Sequence, residues 1–484
     1  MQPVDTLVTR IEALAGGRDR ARVIATLAAV LALDTADKGA VGATARNLQA
    51  AFSIGKTELG LLITVSSLVG AAATLPFGSL VDRVRRTRLL VSVIGLWGVA
   101  MVVSASALSF TWLLLSRLFL GAVTAAAYPA VASLVGDWFP RHERARILGL
   151  ILGGELVGTG LGIAVSGGVA SFTSWRVAFA VLALPAAGVA WIVSRLDEPA
   201  RDGASCLTPE EGYATDGKEV EHEETTDEAS AEDDQVSVRS LVHDAGVDPA
   251  EDEVLREDPA ELSLWSAIRY VLGIRTNVAL IVSSALGYYL FGGVRAFGIE
   301  YAERHYGIGQ GLASMLVFLL GGGALVGVVV GGRVADRMLE RGRLDARLVV
   351  PAVAFIAVAA TLAPALIVSS LLIALPLLAI GGFFLAAANP PQDAARLDVV
   401  PGLLWGRAEA ARTVARTTLE ALAPVVFGFM ADHTFGGGGR GLQATFIIML
   451  VPLIASAVVL LMARSHYVTD VATAEASLAR ANAA

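Results

Sequence analysis

Residues 20–196 and 276–464 each hold six long, nearly continuous apolar stretches, separated by a charged segment. About 20 apolar residues in a helix cross a hydrocarbon core about 30 Å thick. No soluble fold has room for twelve such runs. The chain therefore reads as an all-α membrane protein whose spans cover 22–47, 58–80, 88–108, 111–136, 143–169, 174–196, 276–302, 310–333, 346–367, 370–395, 404–431 and 442–464. A polar side chain inside a run has no water to solvate it, so each one demands a reason.

The segments around the spans divide simply. Residues 1–21 form an amphipathic segment with no cleavage site after a short apolar core, so the first run is a retained helix. Residues 22–196 and 276–464 are two six-helix bundles. Between them, residues 197–262 carry 23 acids against four bases, the composition of a disordered, solvated linker. Residues 263–275, with Trp265 and Tyr270, suit a short helix at the membrane interface. Residues 465–484 form a tail.

Basic residues cluster in alternate loops: Arg18, Arg20 and Arg22; Arg83, Arg85, Arg86 and Arg88; Arg141, Arg144 and Arg146; Arg333, Arg337, Arg341, Arg343 and Arg347. By the positive-inside rule both termini and the linker face the cytoplasm, in a multi-pass inner (plasma) membrane. The one cysteine, Cys206, lies in the linker, so neither an intramolecular disulfide nor a cysteine metal site is expected. His142, His222, His243, His305, His433 and His466 fall in loops or tails. With no nucleotide loop and no Ser/His/Asp arrangement, no enzyme, cofactor, metal or nucleic-acid partner is expected. Membrane lipids surround a chain expected to act as a monomer, and a gradient must supply any driving force.

The halves repeat. Gly78, Asp82 and Arg83 match Gly332, Asp336 and Arg337 at an offset of 254, while Pro129, Asp137, Pro140, Arg146 and Gly167 match Pro390, Asp398, Pro401, Arg407 and Gly428 at 261. Two like-folded halves about a long loop are the architecture of many secondary transporters.

The stretch Gly78-Ser79-Leu80-Val81-Asp82-Arg83-Val84-Arg85-Arg86 resembles the loop 2–3 signature of the major facilitator superfamily, with Arg85 in place of its usual glycine. Asp137-Trp138-Phe139-Pro140 with Arg144, and Ser174-Trp175-Arg176-Val177-Ala178-Phe179, resemble two further landmarks of that superfamily. The resemblance implies twelve helices in two pseudo-symmetric six-helix bundles, the major facilitator fold. Asp37-Lys38 in span 1, Ser116-Arg117 in span 4, the 129–140 segment and Trp175-Arg176 make the N-terminal half look like the spinster-type lipid transporters. Those proteins carry Asp-Arg in span 1 and a glutamate in span 4; here Lys38 replaces the arginine and Thr124 stands where the glutamate falls. The antiporter signature of span 5 is incomplete, since Ile163-Ala164 replaces the expected Gly-Pro before Gly167-Gly168.

The charged residues within spans are the candidates for function. Asp34 and Lys38 are four apart and share a helical face, so they can pair. Asp37 is favoured as a proton site because the resemblance points to it, and Arg117 is implied to face the cavity near that acid; snorkelling to the interface is the alternative for Arg117. Glu155, set among glycines and aliphatics in span 5, suits reversible protonation, or else serves as a structural partner of Arg412 or Arg416. Glu409, Arg412, Arg416 and Glu420 form one stripe on span 11, where arginine could hold a phosphate or carboxylate. Asn389 stands at a proline break in span 10 that echoes Tyr128-Pro129 in span 4. Arg295 and Glu300 suit a pair or gate on the outer side. Gly149, Gly153, Gly154, Gly158, Gly160 and Gly162 make span 5 a close-packing surface. The resemblance further implies gating roles: Asp82 caps a helix of the other half, Arg83 or Arg86 reaches Asp137, and Asp336, Arg337 and Asp398 act likewise in the second half.

Two substrates fit these features: a lipid-like molecule of lysophospholipid type moved with protons by alternating access, or a drug or small organic anion exported by a proton gradient. A non-transporting receptor or scaffold is the third class, and the complete gating loops argue against it.

Overall fold

Every backbone N–H and C=O inside a bilayer must find its partner within the chain. The described residues of this protein meet that requirement with helices. The structure is a computed structural model, and it describes residues 17–81, 83–139, 144–200, 207, 238–255, 262 and 264–483. Spans 1–6 are built from α1 (Arg18–Ala43), α2 (Ala45–Phe52), α3 (Lys56–Val81), α4 (Arg86–Ala105), α5 (Phe110–Thr124), α6 (Ala127–Trp138), α7 (Arg144–Phe172) and α8 (Trp175–Val193). Two short helices follow, α9 (Val238–Asp244) and α10 (Leu264–Val271). Spans 7–12 are α11 (Arg275–Tyr306), α12 (Gln310–Glu340), α13 (Ala346–Ile367), α14 (Leu371–Ala387), α15 (Asn389–Val399), α16 (Trp405–Phe429), α17 (Gly438–Ile448) and α18 (Val451–Ala483).

Among the described residues, ten helical stretches are long and apolar enough to cross a membrane. The charged α1 (26 residues) and α12 (31 residues) complete the expected twelve spans. Spans 4 and 10 are each broken, between α5 and α6 and between α14 and α15, just ahead of Tyr128-Pro129 and at Asn389-Pro390-Pro391. Proline removes a backbone donor and its ring collides with the preceding turn, so a break follows. Serine starts two of the spans: Ser109 accepts from the Trp112 N–H at 3.2 Å, and Ser174 from the Val177 N–H at 3.4 Å.

The chain divides into two compact units. Unit 1 holds spans 1–6 with Arg295–Glu303 and Ile308–Phe318; the remainder of spans 7–12 falls in unit 2. In unit 1, α1 packs most closely on α7. Gly154, Gly158 and Gly162 lie in turn against the backbone of Ala28, Ala32 and Ala36, so a Cβ at any of the three would collide with a main-chain carbonyl. Gly153, on another face of α7, meets nothing. Lipid tails are as apolar as leucine, so helices associate in a membrane by such close backbone approach. The crossing of spans 2 and 4 uses Gly121 against Ser66, and its counterpart in unit 2 uses Gly327 against Phe383.

Large apolar side chains cover the outer surface as well as filling the core. Arg86 and Arg117 are among the largest fully buried side chains, while Leu108, Phe172, Leu184, Trp191, Leu372 and Met462 are exposed. A surface this apolar faces lipid.

The segment 197–262 departs from the expected wholly disordered linker at its two ends; residues 208–237 lie outside the described residues. Within unit 1, the Leu207 N–H donates to the Trp138 carbonyl at 2.5 Å and its carbonyl accepts from Arg20 at 2.6 Å. Within unit 2, Arg239 of α9 donates to the carbonyls of Leu397 (2.9 Å) and Val400 (3.2 Å), and the backbone of Ala250 and Leu255 bonds Thr473 and Ser477, each at 3.0 Å. Residues 465–483 likewise do not leave the fold. They continue α18, and Tyr467, Asp470, Val471, Ala474 and Ser477 are buried along one face, with Asp470 accepting the N–H of Thr276 at 3.0 Å to cap α11. Within 263–275 a short helix forms, α10, with Trp265 exposed.

Gly158→Leu should abolish the α1–α7 contact and lower the melting temperature in detergent sharply, because neither backbone can retreat without opening a void. Gly153→Ala should leave it unchanged, and fluorescence-monitored melting of both variants checks the pair.

Candidate functional site

Span 1 turns its charges toward the interior of unit 1. Asp37 is ion-paired to Arg117 of α5; the residues are 2% and 1% exposed. The guanidinium lies 4.7 Å from the ring centre of Phe179, and Arg117 Nε and Nη2 are buried with no hydrogen-bond partner. Arg117 therefore does not snorkel. Beside it, Ser116 and Ser104 share a 2.8 Å hydrogen bond. Asp34 and Lys38 pair at 2.5 Å, half-buried, as their spacing predicts. Thr35, one residue beyond Asp34, donates to the carbonyl of Glu155 at 2.9 Å, which brings span 1 against Glu155, itself half-buried. Thr124 closes α5 with its hydroxyl 3.3 Å from the Gly121 carbonyl.

A second cluster lies where α4 begins. Arg86 is 1% exposed and ion-pairs with Asp137; it also donates to Ser133 Oγ, to Glu198 and to the Pro199 carbonyl, each at 3.0 Å. Of the two arginines expected to reach Asp137, Arg86 does so and Arg83 is exposed. Asp82 lies outside the described residues. Glu198, which no motif indicated, accepts the N–H groups of Arg86 (3.0 Å) and Thr87 (2.8 Å) and the Thr87 hydroxyl (2.6 Å). It caps the open N-terminus of α4, where a carboxylate meets the positive end of the helix dipole. Burial alone would raise its pKa, yet these hydrogen bonds from Thr87 and Arg86 outweigh it and hold the carboxyl down at about 2.

Unit 2 repeats the pair. Arg347 contacts both carboxylate oxygens of Asp398 at 2.6 Å, and the Tyr467 hydroxyl donates to the same group at 2.5 Å. Arg347 and Asp398 stand 261 residues after Arg86 and Asp137. The expected partner Arg337 is instead exposed at the end of α12, and so is Asp336, which still adds to the field at Arg347. The offset of 261, applied to Arg86, was the signal that finds Arg347.

At the opposite end of span 1, unit 1 includes the end of α11. Glu300 accepts from Gln49 at 2.6 Å, Glu303 pairs with Arg46 at 3.0 Å, and Gln310 donates to the Ala43 carbonyl at 2.6 Å. Glu300 thus engages Gln49, and the Arg295 carbonyl abuts Gly42.

The stripe on α16 is paired across the break in span 10. Arg412 is ion-paired with Asp393 and lies 3.8 Å from Glu409; Arg396 is ion-paired with Glu409. Arg416 stacks on Tyr288 with its guanidinium 4.5 Å from the ring centre. Glu420 is half-buried one turn on, and Asn389 is half-buried as the first residue of α15. Asp393, Arg396 and Tyr288 are contacts that the sequence reading missed. Among the described residues no cluster of His, Cys, Asp and Glu is placed to hold a metal.

A family model described as the Major Facilitator Superfamily matches residues 27–379. The chain is 25% identical over 210 residues to a D-galactonate transporter of Escherichia coli O6:H1, covering 43% of this chain and 48% of that protein. It is 26% identical over 192 residues to a niacin transporter of Acinetobacter baylyi, covering 40% and 44%. It thus spans about half the length of these curated relatives. Among solved structures, a bacterial homologue of the human lysosomal transporter Spinster, in an inward-facing and occupied conformation, superposes with a TM-score of 0.73 at 18% identity, covering 93% of this chain and 98% of that one. A D-xylose–proton symporter gives 0.63 at 13% identity, covering 91% and 96%.

Glu198 is depressed on folding, so its contribution to stability is present above about 4.5 and is lost as pH falls toward about 2. Melting of wild type and Glu198→Gln should differ at pH 6, with wild type the more stable, and the two curves should converge as pH is lowered through that window.

Proposed function

The chain belongs to the major facilitator superfamily, a family of multi-pass membrane transporters, and from that premise we propose that it moves an amphiphilic, lipid-like substrate of lysophospholipid type with protons, by alternating access. The observation that carries this reading is the buried Asp37–Arg117 ion pair joining span 1 to span 4. Two charges withdrawn from solvent need each other; neutralising the acid frees the arginine, whose Nε and Nη2 already lack acceptors. Proton uptake at Asp37 thereby becomes linked to what Arg117 can hold. Glu155, fixed against span 1 through Thr35, is the second proton site, with Asp34 modulating Lys38. Lys38, Arg117, Thr124, Asn389, Arg412, Arg416 and Glu420 supply the substrate contacts. Arg86–Asp137 and Arg347–Asp398 serve as gate fasteners, joined by Asp82, Arg83, Asp336 and Arg337 in the same loops. The resemblance of Asp37-Lys38, Ser116-Arg117 and Trp175-Arg176 to the spinster-type lipid transporters is what favours the lipid substrate. The protein sits in the inner membrane with both termini cytoplasmic and works as a monomer.

The second reading, a proton-driven exporter of small organic anions or drugs, is favoured by the relatives that carry galactonate and niacin. Proteoliposomes under an imposed pH gradient separate the two, with lysophospholipid and dye as alternative cargoes. Asp37→Asn and Glu155→Gln should each cut gradient-driven movement about tenfold, equivalent to about 1.4 kcal/mol. Undiminished, gradient-following transport by both variants would withdraw the proton assignment.

A further inference from the structure

Unit 2 gathers three arginines where the break in span 10 faces α16: Arg396 and Arg412 are buried, and Arg416 is half-buried with its Nε inside. Arg396 and Arg412 have side chains only 10% exposed, yet the carboxylates that hold them, Glu409 and Asp393, are 44% and 48% exposed. Both cations are thus held inside the protein, while the two acids are half-exposed, with Glu409 turning one buried oxygen, Oε2, toward Arg396. Arg412 and Arg416 both act on the charge of Arg396, so the three form one electrostatic group, with two carboxylates bound among them. The Nε atoms of all three arginines are buried without a hydrogen-bond partner. Buried donors normally find acceptors, so three orphans in one place mark where an acceptor arrives. Arg416 is held by the face of Tyr288, which orients its fork without occupying its N–H groups.

We propose that Arg396, Arg412 and Arg416 bind the anionic group of the substrate, a phosphate or carboxylate, and that Asp393 and Glu409 are tethered competitors which that anion displaces. This rests on reading Arg412 and Arg416 as substrate contacts, and adds Arg396 and the two acids to them. A planar guanidinium accepts a bidentate oxyanion in place of a carboxylate with little change of geometry. The half-exposed acids then swing into solvent, where their charge is solvated. A cationic amphiphile would gain nothing in this exchange, so the cluster selects for charge sign.

The test is calorimetric titration of the full-length protein in phosphatidylcholine nanodiscs, with empty discs subtracted, using dodecyl phosphate, dodecyltrimethylammonium and inorganic phosphate. Wild type should bind dodecyl phosphate and not the ammonium compound. Arg416→Gln leaves no acid unpaired, so it should keep its melting temperature and weaken binding about tenfold. Asp393→Asn removes a competitor and should tighten binding about tenfold; if that variant does not fold, Glu409→Gln gives the same reading through Arg396. Equal affinity in Arg416→Gln, or unchanged or weaker binding in a folded Asp393→Asn or Glu409→Gln, overturns the site while leaving the Asp37 transport assay untouched. Inorganic phosphate binding as tightly as dodecyl phosphate, with the same response to the variants, sustains the arginine site and instead overturns the lipid-like substrate.

Discussion

The contact of α1 with α7 is made backbone to backbone, and much of unit 1 hangs on it. Water does not drive helices together inside a bilayer, so attraction comes from many short van der Waals contacts and from a few polar ones. Gly154, Gly158 and Gly162 provide the first kind by letting Ala28, Ala32 and Ala36 approach. The Thr35 hydroxyl bond to the Glu155 carbonyl adds the second on the same seam. With span 1 seated, Asp37 is held where Arg117 can meet it and Lys38 where Asp34 can.

The polar pairs follow a common rule. Arg117, Arg86 and Arg347 are each ion-paired with an acid from another helix, and each pair ties one span to another: Arg117 to Asp37 of span 1, Arg86 to Asp137 of span 4, where Glu198 joins, and Arg347 to Asp398 of span 10, where Tyr467 joins. Breaking one partner of such a pair leaves an uncompensated charge at a cost of about 3–5 kcal/mol. Their function is therefore inseparable from register: the pairs specify which turn of one helix faces which turn of the next.

Much of this was legible in the chain. Twelve apolar runs gave the spans to within a few residues, the four-residue spacing gave Asp34–Lys38, and proline gave the breaks in spans 4 and 10. The polar residues after 464 hid the continuation of α18, because its buried face mixes Tyr467, Asp470 and Ser477 with Val471 and Ala474 and so lacks an apolar stripe. Glu198 was hidden by its composition, being one acid at the head of an acidic segment. Arg396–Glu409 and Arg412–Asp393 were hidden by the break at Asn389, which re-aims α15 so that simple helical spacing no longer reports what it faces. Arg347 was present in the repeat all along, one offset from Arg86.

The acidic segment is fastened at both ends by the same kind of stitch. On one side Leu207 bonds the carbonyl of Trp138, next to Asp137; on the other Arg239 gathers the carbonyls of Leu397 and Val400, flanking Asp398. Each stitch is closed inside its own unit, so each end of the acidic segment is anchored beside the acid that pairs with that unit's buried arginine, Asp137 with Arg86 and Asp398 with Arg347.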